Sequence, residues 1–255
     1  MSSHIFALHT STLHESLSQK SQGQELVLYD MPCWQRITKV LRLDQGQVII
    51  LFDGNHIVQL KLSATTFTQK NMVVGIIESV RRVQPLTPRI TLYAAILKKN
   101  AFENVIYTAA QMGVQTIVPL ITARTQQEWI EAIAPRFEAM MVAACEQSKQ
   151  YAIPHLAEPM HLRDLMSLER VENERRIFFE ADQQPLSSLV SDPLYHNESL
   201  SLSCLIGPEG GLTSSEQEDL RLAGFEGYCL TPSILRAIDA TIVALGAIRS
   251  LLGRR

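Results

Sequence analysis

Along the first 70 residues the apolar positions fall in short runs. Glu25–Tyr29, Gln47–Phe52 and His56–Leu62 concentrate β-branched and aliphatic residues, the signature of strands. Asp53-Gly54-Asn55 separates the last two and predicts a hairpin turn. In Arg36–Leu43 the spacing of Ile37, Val40, Leu41 and Leu43 fits a turn and a half of helix. Short strands broken by turns predict a small β-barrel. From about residue 72 strands and helices alternate. Strands are expected over Met72–Val83, Ile90–Leu97, Gln115–Ile121, Arg176–Phe179, Leu200–Ile206 and Gly227–Leu230. Helices are expected over Ala101–Met112, with Gly113 as its stop, over Trp129–Lys149, over Thr213–Ala223 and over Ile234–Leu252. The Trp129–Lys149 pattern is apolar at Ile130, Ile133, Phe137, Met140, Met141 and Ala144. Alternation of this kind predicts an α/β fold with a mostly parallel sheet. The expected organisation is a β-rich domain over 1–71 and an α/β domain over 72–255.

The 255 residues, 46% apolar and 19% charged, are enough for one large domain or two unequal ones and exclude wholesale disorder. Apolar runs such as Val48–Phe52 are far shorter than the roughly 20 residues of a spanning helix. The start, MSSHIFALHTSTLHES, has neither a basic nor a sustained apolar region, so no signal peptide and a cytoplasmic location are expected. Cys33, Cys145, Cys204 and Cys229 lie far apart without a Cys-x-x-Cys pair, which predicts reduced thiols and no metal site. Charge is uneven: residues 1–100 hold 11 Lys+Arg against 6 Asp+Glu, and residues 101–255 hold 12 against 20. A basic part joined to an acidic body fits a phosphate-binding module on a catalytic or dimerising one.

The candidate chemistry lies near the C-terminus. Leu202–Glu216 reads as a buried strand running into Gly207-Pro208-Glu209-Gly210-Gly211 and then into a helix, with Thr213 and Glu216 at capping-box spacing. Loops at the carboxyl ends of parallel strands bind ligands in α/β proteins, and glycines let a ligand reach the main chain. This loop matches neither the phosphate-loop nor the dinucleotide Gly pattern. Tyr228–Leu252 repeats the layout: a strand, a loop in which Thr231 can cap and Pro232 suits the first helical position, then an apolar stripe of Ile234, Ile238, Ile242, Leu245, Ile248 and Leu252. Arg236 near that helix start faces an unfavourable macrodipole, which calls for a compensating anion such as a substrate phosphate or Glu209.

Together these segments resemble the RsmE family of ribosomal RNA methyltransferases in the SPOUT superfamily. The resemblance rests on Gly207–Gly211, on Ile234-Leu235-Arg236, on Val40-Leu41-Arg42-Leu43 and Phe52-Asp53-Gly54, on Leu97-Lys98-Lys99, Met112-Gly113-Val114 and Ile117-Val118-Pro119-Leu120, and on Ala144-Cys145-Glu146-Gln147-Ser148 with Pro154. It implies a PUA-like N-terminal β-barrel for RNA, a C-terminal SPOUT-type parallel-sheet domain with a trefoil knot, and a homodimer. It also implies S-adenosyl-L-methionine held by Ile206, Gly207, Pro208, Glu209, Gly210, Gly211, Leu230, Thr231, Ile234 and Leu235. The implied reaction is methylation of N3 of a specific uridine in 16S ribosomal RNA of the small subunit. Arg236 is the candidate catalytic residue, stabilising a developing uracil anion or anchoring a phosphate. Arg36, Lys39, Arg42, Lys98 and Lys99 are the candidate RNA contacts. No membrane and no metal are expected as partners.

The chain departs from the family at Ala237-Ile238-Asp239, where Thr-Glu-Thr is usual, and at Ser233, Gln35, Thr108, Gln111 and Gln150. Asp239 is a candidate substitute for the missing Glu carboxylate. Two alternatives stay open: an RNA-binding or assembly protein of this fold that no longer methylates, and a SPOUT enzyme acting at another RNA site.

Overall fold

The computed structural model describes residues 5–18, 20–127, 129, 133–191 and 199–253. The chain forms two compact units, Met1–Gln84 with Cys145–Ala152, and Pro85–Ala144 with Ile153–Arg255.

The first unit contains β1 (Ala7–His9), α1 (Leu13–Leu17), β2 (Glu25–Tyr29), α2 (Met31–Gln35), β3 (Val48–Phe52), β4 (His56–Leu62), α3 (Thr65–Thr68) and β5 (Met72–Arg82). Its five strands run in the order β1-β3-β4-β5-β2, with β1 parallel to β3 and the other pairs antiparallel. The Asp53–His56 turn closes the β3–β4 hairpin as expected, with Gly54 at φ 88°. One sheet face carries Ile49, Leu51, Val58 and Leu60, which pack with Leu26, Leu28, Trp34 and Ile37 into a buried core.

Two expectations change here. The expected break after residue 71 falls instead after Gln84, because β5 pairs with both β4 and β2 and so completes this sheet. The helix expected over Arg36–Leu43 begins earlier. Asp30 caps α2 through the Cys33 N–H at 2.8 Å, and the chain continues as one turn of π-helix, Arg36–Val40. The turn ends at Arg42, which is left-handed at φ 50°.

Glu146, from the second part of this unit, accepts both Arg36 Nη atoms at 2.6 and 2.7 Å and the His9 N–H at 2.8 Å. Tyr151 packs on Phe52 at 5.2 Å between ring centroids, and His9 lies edge-on to the same ring at 5.5 Å. Burial holds His9 below its ordinary value of 6.5, against the opposing pull of Glu146, Asp53 and Asp30. The folded imidazole therefore binds protons more weakly than the unfolded one. Its stability contribution is complete above about 6.5 and is lost as pH falls toward the folded value. A His9→Gln protein is expected to show a flatter decline of stability between pH 7 and pH 5 in urea titrations. An unchanged slope would assign that decline to other groups.

The second unit contains β6 (Arg89–Ala95), α4 (Lys99–Gln111), β7 (Thr116–Ile121), α5 (Ala134–Ser148, whose last residues belong to the first unit), β8 (His155–Leu156), β9 (Met160–His161), β10 (Glu174–Pro185), β11 (Ser201–Ile206), α6 (Ser214–Leu222), β12 (Phe225–Cys229) and α7 (Ala237–Leu252). The main strand order is β12-β10-β11-β6-β7-β8, β9 also pairs with β7, and every pair is parallel. This is the expected α/β arrangement. Leu202, Cys204, Leu205 and Ile206 of β11 are all buried, as befits a parallel strand covered on both faces. Burial pushes the thiols of Cys33, Cys145 and Cys204 up to about 12, which keeps them protonated and inert.

Gly113 ends the α4 region at φ 65°, as its sequence position predicts. The helix expected from Trp129 starts at Ala134, and Ile130 lies outside the described residues. Trp129 instead packs beside Phe102 and Phe137. The last helix starts at Ala237 rather than Ile234, with Arg236 at its N-cap. Thr231 and Pro232 therefore do not open it. Thr231 Oγ1 donates to the Ser233 carbonyl at 2.7 Å, which spends the hydroxyl inside the loop. The apolar stripe is buried at Leu245, Ile248 and Leu252, while Ile234 is 89% and Ile242 44% exposed.

Candidate functional site

Three adjacent parallel strands, β12, β10 and β11, end at one cavity of about 340 Å³. That volume lies within the range of small-molecule sites. Its walls come from Phe179–Ala181 within β10, from Ile206–Gly211 at and after the end of β11, from the loop after β12, and from Ala237 and Ala240 in the first turns of α7. All ten residues singled out in these loops line it: Ile206, Gly207, Pro208, Glu209, Gly210, Gly211, Leu230, Thr231, Ile234 and Leu235. The carboxyl ends of parallel strands are where such a crevice is expected.

The Gly-rich loop is held from three sides. Gly211 N–H donates to the Pro208 carbonyl at 2.9 Å, and Gly211 sits in the left-handed region at φ 69°. Leu212 N–H donates to Glu180 Oε1 at 3.0 Å. An Arg124 guanidinium N–H donates to the Gly210 carbonyl. The expected capping box then starts α6: Thr213 Oγ1 accepts the Glu216 N–H at 3.2 Å and Glu216 Oε2 accepts the Thr213 N–H at 2.8 Å. Glu216 is 8% exposed, and its Oε1 also accepts the Ala123 N–H at 2.7 Å, so one carboxylate ties the chain after β7 to the start of α6. Removing it leaves the Ala123 and Thr213 N–H groups, both part-buried, without this partner. Glu216→Ala is expected to cost about 2–3 kcal/mol, read from thermal or urea unfolding; a loss no larger than that of an ordinary cap would show that water replaces the Ala123 contact.

Glu180 is the residue that sequence reasoning missed. Strand β10 keeps register with β12 through Phe179↔Tyr228 and resumes at Gln184↔Tyr228, so residues 180–183 bulge out of that ladder. A bulge re-aims side chains, and here it places Glu180 on the cavity wall. The one sequence signal is a carboxylate closing the otherwise apolar run Ile177-Phe178-Phe179. Arg124 gave no such signal, because it reaches Gly210 only through the fold.

Arg236 is not among the lining residues, although Leu235 and Ala237 on either side of it are. Its side chain is 80% exposed, and Nε donates to Asp239 Oδ2 at 2.8 Å. The anion compensating this cation is therefore Asp239, one turn along the helix, rather than Glu209. The hydrogen bond to Asp239 raises the guanidinium above its ordinary value. Asp239 spends its carboxylate on that pair and does not line the cavity.

Of the candidate RNA contacts, Arg36 is committed to Glu146 as a bidentate ion pair within the first unit. Lys39 is exposed and lies 5.6 Å from the Trp34 ring centroid. Arg42 and Lys98 are exposed, Lys98 as the N-cap of α4. Lys99 begins α4, and its side chain lies outside the described set. Among the described residues no cluster of three or more His, Cys, Asp or Glu could hold a metal ion, and no helix is long and apolar enough to cross a membrane.

A sequence model of the RNA methyltransferase domain matches residues 84–249, which contain every strand that ends at the cavity. The chain belongs to the RNA methyltransferase domain family. Within this family it is similar to proteins named ribosomal RNA small subunit methyltransferase E, the RsmE group that its motifs resemble. The Synechocystis relative is 28% identical over 85% of this chain and 70% of its own length. The relative from Rickettsia conorii is 27% identical over 84% of this chain and 85% of its own length. A Legionella pneumophila protein solved with bound S-adenosylmethionine is 26% identical, with a TM-score of 0.78 over 99% of this chain and 100% of its own. The Neisseria gonorrhoeae methyltransferase E, 23% identical with a TM-score of 0.80 over 98% of this chain and 99% of its own, shares the fold.

Proposed function

We propose that this RNA methyltransferase-family protein uses S-adenosyl-L-methionine to methylate N3 of a uridine in 16S ribosomal RNA of the small subunit. The observation that carries the reading is the cavity at the ends of β12, β10 and β11, lined by the ten residues that the family motifs single out. The cavity suits the cofactor in size and in donor set. Ile206, Leu230 and Leu235 offer apolar walls for a base. Gly207, Gly210 and Gly211 put no side chain on this wall, and a Cβ on them would lie 3.2–3.6 Å from the side chains of Leu212, Arg124 and Glu180. Glu180 and Glu209 offer negative charge to a cation.

When bound, the cofactor supplies an electrophilic methyl group on a sulfonium. The work of this chain is to hold the reacting groups in line, which can supply several kcal/mol of the barrier. The uracil must be unpaired and extruded to present N3. Arg236, exposed at the start of α7 beside two lining residues, would stabilise negative charge on the uracil or take its phosphate, exchanging Asp239 for the RNA. As N3 bonds to the methyl carbon, the carbon–sulfur pair returns to sulfur and the N3 proton leaves to water. Lys39, Arg42, Lys98 and Lys99 would contact RNA phosphates, with Arg36 fixing the fold of the first unit.

The same reading takes the first unit as the PUA-like RNA module and the second as the knotted catalytic domain of a cytoplasmic homodimer. Support for a dimer comes from the unburied start of the α7 stripe, Ile234 and Ile242.

The test uses purified small subunits from a strain lacking this protein, with methyl-labelled cofactor. A methyl on N3 blocks the Watson–Crick edge, so reverse transcription should stop at the modified uridine. Label in 16S RNA with one such stop is expected. Label confined to ribose hydroxyls or to transfer RNA would move the target. Tight subunit binding with no cofactor binding would favour the non-methylating alternative, towards which the Arg236–Asp239 pair points.

A further inference from the structure

The lining of the cavity is one-sided in charge. Among the described residues it contains two carboxylates, Glu180 and Glu209, and no Lys, Arg or His. The two are not equivalent. Glu209 is exposed, so water and salt screen it. Glu180 is half-buried, delivered by the bulge in β10 and fixed by the Leu212 N–H at 3.0 Å. A carboxylate fixed in a partly desolvated wall acts on a neighbouring charge more strongly than an exposed one. Arg124 is the cation beside this loop. It is exposed and bonded to the Gly210 carbonyl, so it offsets the field of Glu180 only in part.

Methyl transfer removes one unit of positive charge from the cofactor: the sulfonium becomes a neutral thioether, while the ammonium and carboxylate of the methionine part are unchanged. A fixed negative wall therefore distinguishes substrate from product by charge, at a place where their shapes differ by one methyl. We propose that Glu180 is the residue that makes this site prefer the sulfonium cofactor over its thioether product, S-adenosylhomocysteine. The inference rests on the cofactor reading above. It makes Glu180 a specificity residue: it selects the charged cofactor and speeds exchange of the spent one.

The experiment is calorimetric titration of the full-length protein with each ligand separately, for wild type, Glu180→Gln and Glu180→Ala. Gln keeps an oxygen for the Leu212 N–H and loses the charge; Ala loses both. For Glu180→Gln, affinity for S-adenosylmethionine is expected to fall about tenfold and that for S-adenosylhomocysteine less than twofold, so the preference ratio collapses. Glu180→Ala should weaken both ligands further while keeping the collapsed ratio, which separates charge from loop support. Circular dichroism melts check that each variant is folded. Equal losses for both ligands would place the carboxylate at the shared ammonium and overturn the proposal, as would an unchanged ratio in Glu180→Gln. Wild-type protein that binds neither ligand would overturn the cofactor reading itself, and the proposal with it.

Discussion

A Gly211→Val protein is expected to bind S-adenosylmethionine about thirtyfold more weakly than wild type. Gly211 is held at φ 69° between the Pro208 carbonyl and the Leu212–Glu180 contact. L-residues lose roughly 1–2 kcal/mol in the left-handed region, and a β-branched residue loses more because its Cβ substituents crowd the following carbonyl. The free loop relieves that strain by turning away from the cavity, so binding must pull it back. The relief then appears as lost affinity, about 2 kcal/mol or thirtyfold. Space is not the cause: a Cβ at this position meets Glu180 Oε1 at 3.6 Å, an ordinary contact. Gly211→Ala should accordingly lose less, about tenfold. Gly46, at φ 84° with nothing within 4 Å of a Cβ, supplies the control. Gly46→Val should lower stability by a similar strain and leave affinity unchanged. Calorimetry on the three variants checks this, and full affinity in Gly211→Val would falsify the assignment of the cavity to the cofactor.

Replacing Arg249 with leucine is expected to destabilise the protein by about 3 kcal/mol. Arg249 lies in the last turn of α7. Its guanidinium donates to the Met112 carbonyl at 2.8 Å, to the Gly113 carbonyl at 2.8 Å and to the Pro88 carbonyl at 2.7 Å. One side chain thus satisfies the end of α4, the turn beyond it and the residue before β6. The cation also meets the negative ends of two helices. Burial pulls the guanidinium down to about 10, which leaves it charged at neutral pH. Leucine fills space but leaves three shielded acceptors without donors, each costing of order 1 kcal/mol after partial rehydration. Arg249→Lys should recover less than half, because an ammonium on a flexible stem cannot reach three carbonyls at fixed fork geometry. Urea unfolding midpoints measure both. A loss under about 1 kcal/mol would mean that water takes over the three carbonyls.

Local pattern carried much of the fold. The hairpin at Asp53–Asn55, the strands Glu25–Tyr29 and His56–Leu62, the capping box at Thr213 and the Gly113 stop all stand where residue spacing places them, because each depends on contacts within a few residues. Boundaries that depend on distant partners moved. Strand β5 joined the first sheet through β4 and β2, which carried the break from residue 71 to Gln84. The start of α7 moved from Ile234 to Ala237, because the loop before it lines the cavity instead of continuing the helix.

The site divides in the same way. The sequence by itself determined the two strand-to-helix loops, since a Gly-rich turn after a buried strand is a local feature that spacing records, and it carried the family motifs whose resemblance implied the ten residues that line the cavity. Tertiary structure alone decided which charges act there. Glu180 comes from a third strand, through a bulge that pairing with β12 creates. Arg124 comes from the chain after β7, and Arg236 turns to Asp239 rather than to Glu209. Arg36, read as an RNA contact, is taken by Glu146, 110 residues away. Electrostatic partnership depends on distance in space and on solvent exclusion, and neither is written in the order of residues along the chain.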